Sequence, residues 1–238
     1  MKDFLNRIIR GQQLSRDEAR LAFERIMLGE ANPLAIAGFL AALATKGEVV
    51  IANARPEHLA AFLEKLNQAG AGVETAESGL RFFYQGRLEA TEIMTQPHPG
   101  FMTDWQPLWT VLMTQATGTA KIIEAVFTRR FQVVPGLIKM GARIEFFDPK
   151  PTNPESFYNF NLADDEPGSQ HGIRVTGPTP LHGGEFAVAD IRNGATLAIA
   201  GLTASGKTVL DQAELIDRGY EDFAGQLSAL GAKIERIG

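Results

Sequence analysis

A chain of 238 residues, 45% hydrophobic and 21% charged, is long enough for one large domain, or a medium domain with an appendage, and falls in the ordinary globular range. Its formal net charge of −5 gives no electrostatic case for nucleic acid, and no apolar run approaches the roughly 20 residues that span a bilayer. The absence of cysteine excludes disulfides, thiolate metal sites and a thiol nucleophile, and the polar start MKDFLNRIIRG is no secretory signal, so a cytoplasmic location is expected.

Residues 1–48 read as helices only. Ser15-Arg16-Asp17-Glu18 is a capping box, with Leu21, Ile26 and Leu28 following on a helical period. Asn32-Pro33 supplies an N-cap and a first-turn proline for a further helix ending near Lys46-Gly47. From Val49 the pattern changes to alternating strands and helices. VVIAN is a short strand, Pro56 to Ala69 an amphipathic helix closed by Gly70, and Val73-Glu74 begins another strand. This unit recurs: FLEKLNQAGAGVE (62–74), LIKMGARIE (137–145) and LSALGAKIE (227–235) each give a helix, a glycine stop, a small residue and a β-branched strand start. Self-similarity of this kind marks a domain built from repeats.

A second phrase also recurs. TDWQPLWTVLMTQATGTAKII (103–123) and ADIRNGATLAIAGLTASGKTVL (189–210) both run from an aspartate at a helix start, through an apolar helix, to a small-residue-plus-glycine turn and a strand. Asp104 and Asp190 stand 86 residues apart, Gly118 and Gly206 88, and Gly141 and Gly231 90. This register disposes of an apparent phosphate loop. GLTASGKT, with Gly201, Gly206, Lys207 and Thr208, satisfies the pattern G-x-x-x-x-G-K-[ST]. The repeat, however, puts it at a helix-to-strand turn, the reverse of the strand-to-helix order that aims backbone N–H groups at a phosphate. Residues 148–172, rich in Pro, Asn and Asp, read as a long loop pinned by Phe157, Tyr158 and Phe160. His58, His98, His171 and His182 show no metal-ligand spacing and are assigned surface or hydrogen-bonding roles. No metal or cofactor is expected.

The residues that could carry chemistry are acids at helix starts and arginines near them. Thr103-Asp104-Trp105-Gln106 forms a second capping box, with Thr103 as N-cap. Asp190 heads its own helix, with Arg192 two residues on; Arg129-Arg130 follows the strand KIIEAVF, and Arg218 precedes the last helix. Singly, each acid is explained by the helix dipole, worth about 0.3–1 kcal/mol, and each arginine by solvation. Together, two acids at equivalent helix starts of a repeat, with arginines beside them, are what binding a polyanion and moving a proton require.

These stretches resemble a known family. PGFMTDWQ (99–106), EAVFTRRF (124–131), MGARIE (140–145), VADIRNGATLAIAGL (188–202) and DRGYEDFAGQLSALGAKIERI (217–237) are similar, in this order, to the C-terminal half of UDP-N-acetylglucosamine 1-carboxyvinyltransferase, an enolpyruvyl transferase. The resemblance implies an α/β fold, an inside-out barrel of three βαβαββ units with the helices inside. It implies substrates of a nucleotide sugar and phosphoenolpyruvate, joined by protonating the enol carbon, adding the sugar hydroxyl at its neighbour and eliminating phosphate. Asp104 then matches the acid that contacts the sugar 3-hydroxyl and is proposed as its base. Arg130 matches a substrate-pocket arginine, Asp190 and Arg192 a D-x-R pair, and Arg218 the arginine that binds phosphoenolpyruvate. Met102 and the run Thr128-Arg129-Arg130-Phe131 depart from the family phrases without removing a charge, and loop 148–172 is longer than the hairpin expected.

The resemblance covers residues 49–238 only, and the family's site lies between two domains, the first of which has no counterpart here. Residues 1–48 resemble instead the N-terminal helical segment of anthranilate phosphoribosyltransferase, without the glycine-rich loop that phosphoribosyl transfer would need. The expected organisation is therefore a helical segment (1–48) joined to an enolpyruvyl-transferase-like domain (49–238). Such a chain acts as a transferase only where a second copy or a complementing domain completes the site. The alternative is a non-catalytic, truncated or chimeric domain with a helical cap or oligomerisation segment.

Overall fold

The computed structural model describes residues 47–76, 79–220, 222–229 and 231–237. The capping box at Ser15, the helix start at Asn32-Pro33 and most of the segment 1–48 lie outside them.

The middle unit is complete and sets the pattern. Strand β4 (Ile93–Met94) leads through a 3-10 turn at Thr103–Trp105 to helix α2 (Gln106–Gln115). Strand β5 (Gly118–Ile123), helix α3 (Val134–Lys139), and strands β6 (Arg143–Phe147) and β7 (Gly172–Gly177) follow, with the ladder order β4-β5-β7-β6. The last strand of this βαβαββ unit therefore lies between β5 and β6, antiparallel to both. The first unit shows the same closing half. β1 (Glu48–Ala52), α1 (Ala60–Gln68), β2 (Gly72–Ala76) and β3 (Gly79–Phe83) form a sheet with β3 in the middle, again antiparallel to both neighbours. In the third unit β8 (Glu185–Ala187), α5 (Ile191–Thr203) and β9 (Val209–Asp211) form a parallel pair with its connecting helix, and α6 (Phe223–Ala229) follows.

The three recurring glycines do the same work in each unit. Gly70, Gly141 and Gly231 all take left-handed φ, at 76°, 98° and 93°. In each case the next residue closes the helix with a hydrogen bond to a leucine carbonyl five residues back: Ala71 to Leu66, Ala142 to Leu137 and Ala232 to Leu227. This is the Schellman closure, which a residue with a Cβ adopts only under strain.

The helices provide the interior. Every residue of α2 from Gln106 to Thr114 is buried, as is α5 from Asn193 to Ala200. Elements this apolar all round belong inside, with the sheets outside them. Around α2, Phe62 and Phe101 each pack edge-to-face on Trp105 and Trp109 at centroid distances of 5.1–5.6 Å, a preferred aromatic geometry, and lie tilted against each other at 5.8 Å. The architecture is thus the expected α/β fold of repeated units, and its sheets are three separate ladders. No helix of the described residues is long and apolar enough to cross a membrane.

Some expectations change in detail. The helix read over 56–69 is a 3-10 turn, Pro56–His58, followed by α1. Loop 148–172 contains a short helix α4 (Pro154–Phe157) and a 3-10 turn, Leu162–Asp164. Tyr158 and Phe160 pack on buried His171, whose Nε2 lies 2.8 Å from Asp165. The strand start read at the end of LSALGAKIE (227–235) joins no ladder of the described residues. GLTASGKT spans the end of α5 and the turn into β9, the helix-to-strand order that the repeat demands.

Candidate active site

The two repeat-related acids come together. Asp104 lies in the 3-10 turn that opens α2, and Asp190 is the N-cap of α5. Arg130 reaches Asp104 at 3.7 Å, Arg192 reaches it at 4.0 Å, and Arg192 also approaches Asp190 at 3.8 Å. The cluster therefore joins four of the five sequence-derived residues, from the second and third units. These separations are longer than a hydrogen bond, so the guanidinium N–H groups are not tied to the carboxylates. Arg130 is held by stacking, its guanidinium 3.9 Å above the Phe127 ring, a cation–π contact. The side chain of Asp104 is 61% exposed and that of Arg130 15%, leaving the acid accessible above a largely buried cation.

The fifth residue, Arg218, stands apart. It ends the 3-10 turn Ala213–Arg218, is exposed, and forms no ion pair with another described residue.

The Thr103 capping box is not formed. The Thr103 hydroxyl donates to Glu124 at 2.8 Å, and Gln106 Nε2 donates to Thr110. Glu124, 1% exposed, also accepts from the Thr95 hydroxyl at 2.8 Å and from the backbone N–H groups of Val126 and Phe127 at 2.9 and 3.1 Å. A buried carboxylate persists only with such a full set of donors. Glu124 thereby ties the turn carrying Asp104 to the segment carrying Phe127 and Arg130. Sequence reasoning missed it, although an unexplained acid inside the apolar run KIIEAVF was the available signal.

Tyr220 was missed as well. It is 7% exposed, and its phenol is pushed up to about 12 by burial, aided by the negative charges of Asp104 and Asp190. A neutral hydroxyl is thus kept within electrostatic reach of both acids. Asp190 is partly committed to structure, since its Oδ1 accepts from the Asn193 N–H at 2.8 Å and Asn193 Oδ1 in turn accepts from the Ala189 N–H. The ensemble offers an exposed carboxylate that can take a proton from a hydroxyl, and guanidinium groups suited to phosphate or carboxylate.

Helices enclosed by repeated sheets, with acids and arginines meeting at equivalent helix starts, define an α/β protein of the enolpyruvyl-transferase kind. Two solved structures share the fold: the enolpyruvyl transferase NikO from Streptomyces tendae (TM-score 0.64, 24% identity, covering 86% of this chain and 44% of that one) and EPSP synthase from Acinetobacter baumannii (TM-score 0.59, 20% identity, 87% and 46%). The chain belongs to the EPSP synthase (3-phosphoshikimate 1-carboxyvinyltransferase) family, which matches residues 34–227. Among its relatives are UDP-N-acetylglucosamine 1-carboxyvinyltransferases from Chlamydia trachomatis serovar A (35% identical over 197 residues) and Photobacterium profundum (39% over 199). The alignments cover 82% and 83% of this chain but 43% and 42% of the relatives, so the chain spans less than half of their length. The family match takes in residues 34–48, ahead of the change of pattern at Val49.

Proposed function

We propose that the chain carries one side of an enolpyruvyl-transferase active site, binding a nucleotide sugar, UDP-N-acetylglucosamine, and phosphoenolpyruvate. The observation that carries this reading is the convergence of Asp104, Arg130, Asp190 and Arg192 from two repeat-related helix starts. In this reading Asp104 takes the proton of the sugar hydroxyl as its oxygen bonds to C2 of the enolpyruvyl group. C3 gains a proton from solvent to give a saturated adduct, and phosphate then leaves C2 as C3 returns a proton to solvent and the enol double bond re-forms. Arg130 and Arg192 hold the negative charge of the reactants, Arg218 moves onto the phosphoenolpyruvate, and Asp190 orients Arg192. Turnover requires a complementing domain, because the relatives are more than twice as long. In this reading residues 49–238 form the transferase part and residues 1–48 a helical segment, a boundary that the family match, which starts at residue 34, does not share.

Titration calorimetry with UDP-N-acetylglucosamine tests the reading. Binding by the purified chain, weakened at least tenfold in Asp104→Ala, is the expected result. Absence of binding up to millimolar ligand, or binding indifferent to Asp104, leaves a scaffold whose ancestry but not activity is that of a transferase.

A further inference from the structure

Two adjacent arginines, Arg129 and Arg130, follow β5, and the fold sends them to different partners. Arg130 turns to Asp104 and is largely buried, whereas Arg129 pairs with Glu166 of loop 148–172. The side chains of Arg129 and Glu166 are 59% and 64% exposed, and an ion pair so open to solvent adds little to stability. The position of Glu166 is nonetheless closely fixed.

On one side of it, the Ser169 N–H donates to the Glu166 carbonyl at 3.0 Å across Pro167-Gly168, with Gly168 at φ 86°. Proline second and a left-handed glycine third are the signature of a type II turn. On the other side, Asp165 lies 2.8 Å from the ring of buried His171, whose carbonyl accepts the Glu124 N–H at 2.9 Å. The Asn159 N–H donates to the Ala125 carbonyl at 2.6 Å. These ties, with Tyr158 and Phe160 packed on His171, dock the loop on the start of segment 124–130 without help from Arg129. Glu166 is therefore not needed as an anchor. It stands where the docked loop presents a negative charge to Arg129.

We infer that Glu166 is a positioning residue of the active site: it draws Arg129 aside, so that Arg130 alone of the two faces Asp104 and the substrate. The need for such sorting follows from the surroundings of Asp104. Its carboxylate already has the guanidinium groups of Arg130 and Arg192 at 3.7 and 4.0 Å, and it is exposed enough for a third cation to approach. Each cation added beside a carboxylate favours the ionised form and makes it a poorer proton acceptor. A released Arg129 would also compete with Arg130 for its place over the Phe127 ring. The consequence for substrate rests on the transferase reading; the sorting of the two arginines does not.

Arginine Nε–H resonances of the full chain test the sorting without any ligand, because the Phe127 ring, 3.9 Å from the Arg130 guanidinium, shifts the Arg130 signal. Glu166→Gln should move that signal toward its position in Phe127→Leu. Arg129→Gln should leave it in place, and combining Arg129→Gln with Glu166→Gln should restore it. Both single substitutions break the same ion pair, so a merely anchoring role predicts equal effects from the two. Equal effects, or no movement in Glu166→Gln, overturn the inference. Calorimetry with UDP-N-acetylglucosamine supplies the second measurement. Glu166→Gln should bind about tenfold more weakly, as on loss of one charge-assisted hydrogen bond, and the double variant as the parent does. Unchanged affinity in Glu166→Gln overturns the positioning role. A parent chain that binds no nucleotide sugar defeats the transferase reading instead, and the resonances alone then decide the sorting.

Discussion

Asp104 and Asp190 occupy equivalent positions in two repeats, yet the fold uses them differently. Asp190 is an N-cap in extended conformation, with one carboxylate oxygen engaged by the Asn193 N–H. Asp104 sits within a 3-10 turn, caps nothing, and meets only the edges of two guanidinium groups at 3.7 and 4.0 Å. The difference originates at Thr103, whose hydroxyl is drawn to Glu124 instead of to its own helix. A repeat thus places two like groups side by side, and a single buried acid determines which one is left available for chemistry.

Removing that acid is expected to have the largest effect. Glu124→Ala leaves the hydroxyls of Thr95 and Thr103 and the N–H groups of Val126 and Phe127 without their acceptor. Urea unfolding should show a loss of about 3 kcal/mol, since buried donors left unsatisfied are among the costlier single changes. If Thr103 then returns to capping α2, the distinction between the two aspartates shrinks. A loss below about 0.5 kcal/mol would show that Glu124 does not hold the turn.

The next effect is confined to alkaline pH. The Tyr220 phenol titrates near 12 in the folded chain, through burial and the charges of Asp104 and Asp190, against about 10 unfolded. The folded form holds its proton more tightly, so the stabilisation is complete below pH 10 and is lost as pH rises through 12. By pH 11 the cost is about 1.4 kcal/mol. Tyr220→Phe should remove this part of the slope of stability against pH between 10 and 12; an unchanged slope would show that neither burial nor the two acids holds the phenol's proton in the folded chain.

Periodicity and glycine spacing made the order of elements legible, because the helix-closing leucine and glycine recur locally in each unit. Asp190 was legible for the same reason, since its cap is complete within four residues. Asp104 was found for a reason only partly right: its motif reads as a capping box, and nothing local reveals that Thr103 bonds to a residue 21 positions away. Glu124 and Tyr220 were missed because their roles are set by burial, which a single acid or aromatic in sequence does not announce. Arg218 was read from its phrase DRGY, while its side chain lies free of the cluster. The absence of a ladder among the described residues at the end of LSALGAKIE was equally hidden, since a strand's own sequence does not state whether its neighbour is present.

The smallest effects on stability return to the paired aspartates. Asp190→Ala removes an N-cap whose acceptor is in place at 2.8 Å, and should cost about 1 kcal/mol in urea unfolding. Asp104→Ala removes a side chain that is 61% exposed and makes no hydrogen bond shorter than its 3.7 Å ion pair, and should stay within about 0.5 kcal/mol of the parent. Any loss of nucleotide-sugar binding in Asp104→Ala would then report on contact with the ligand, whereas the same loss in Asp190→Ala would carry a share from the loosened helix start. Equal destabilisation by the two substitutions would mean that the repeat had given both acids the same structural task, and the case for Asp104 as the proton acceptor would lose its physical basis.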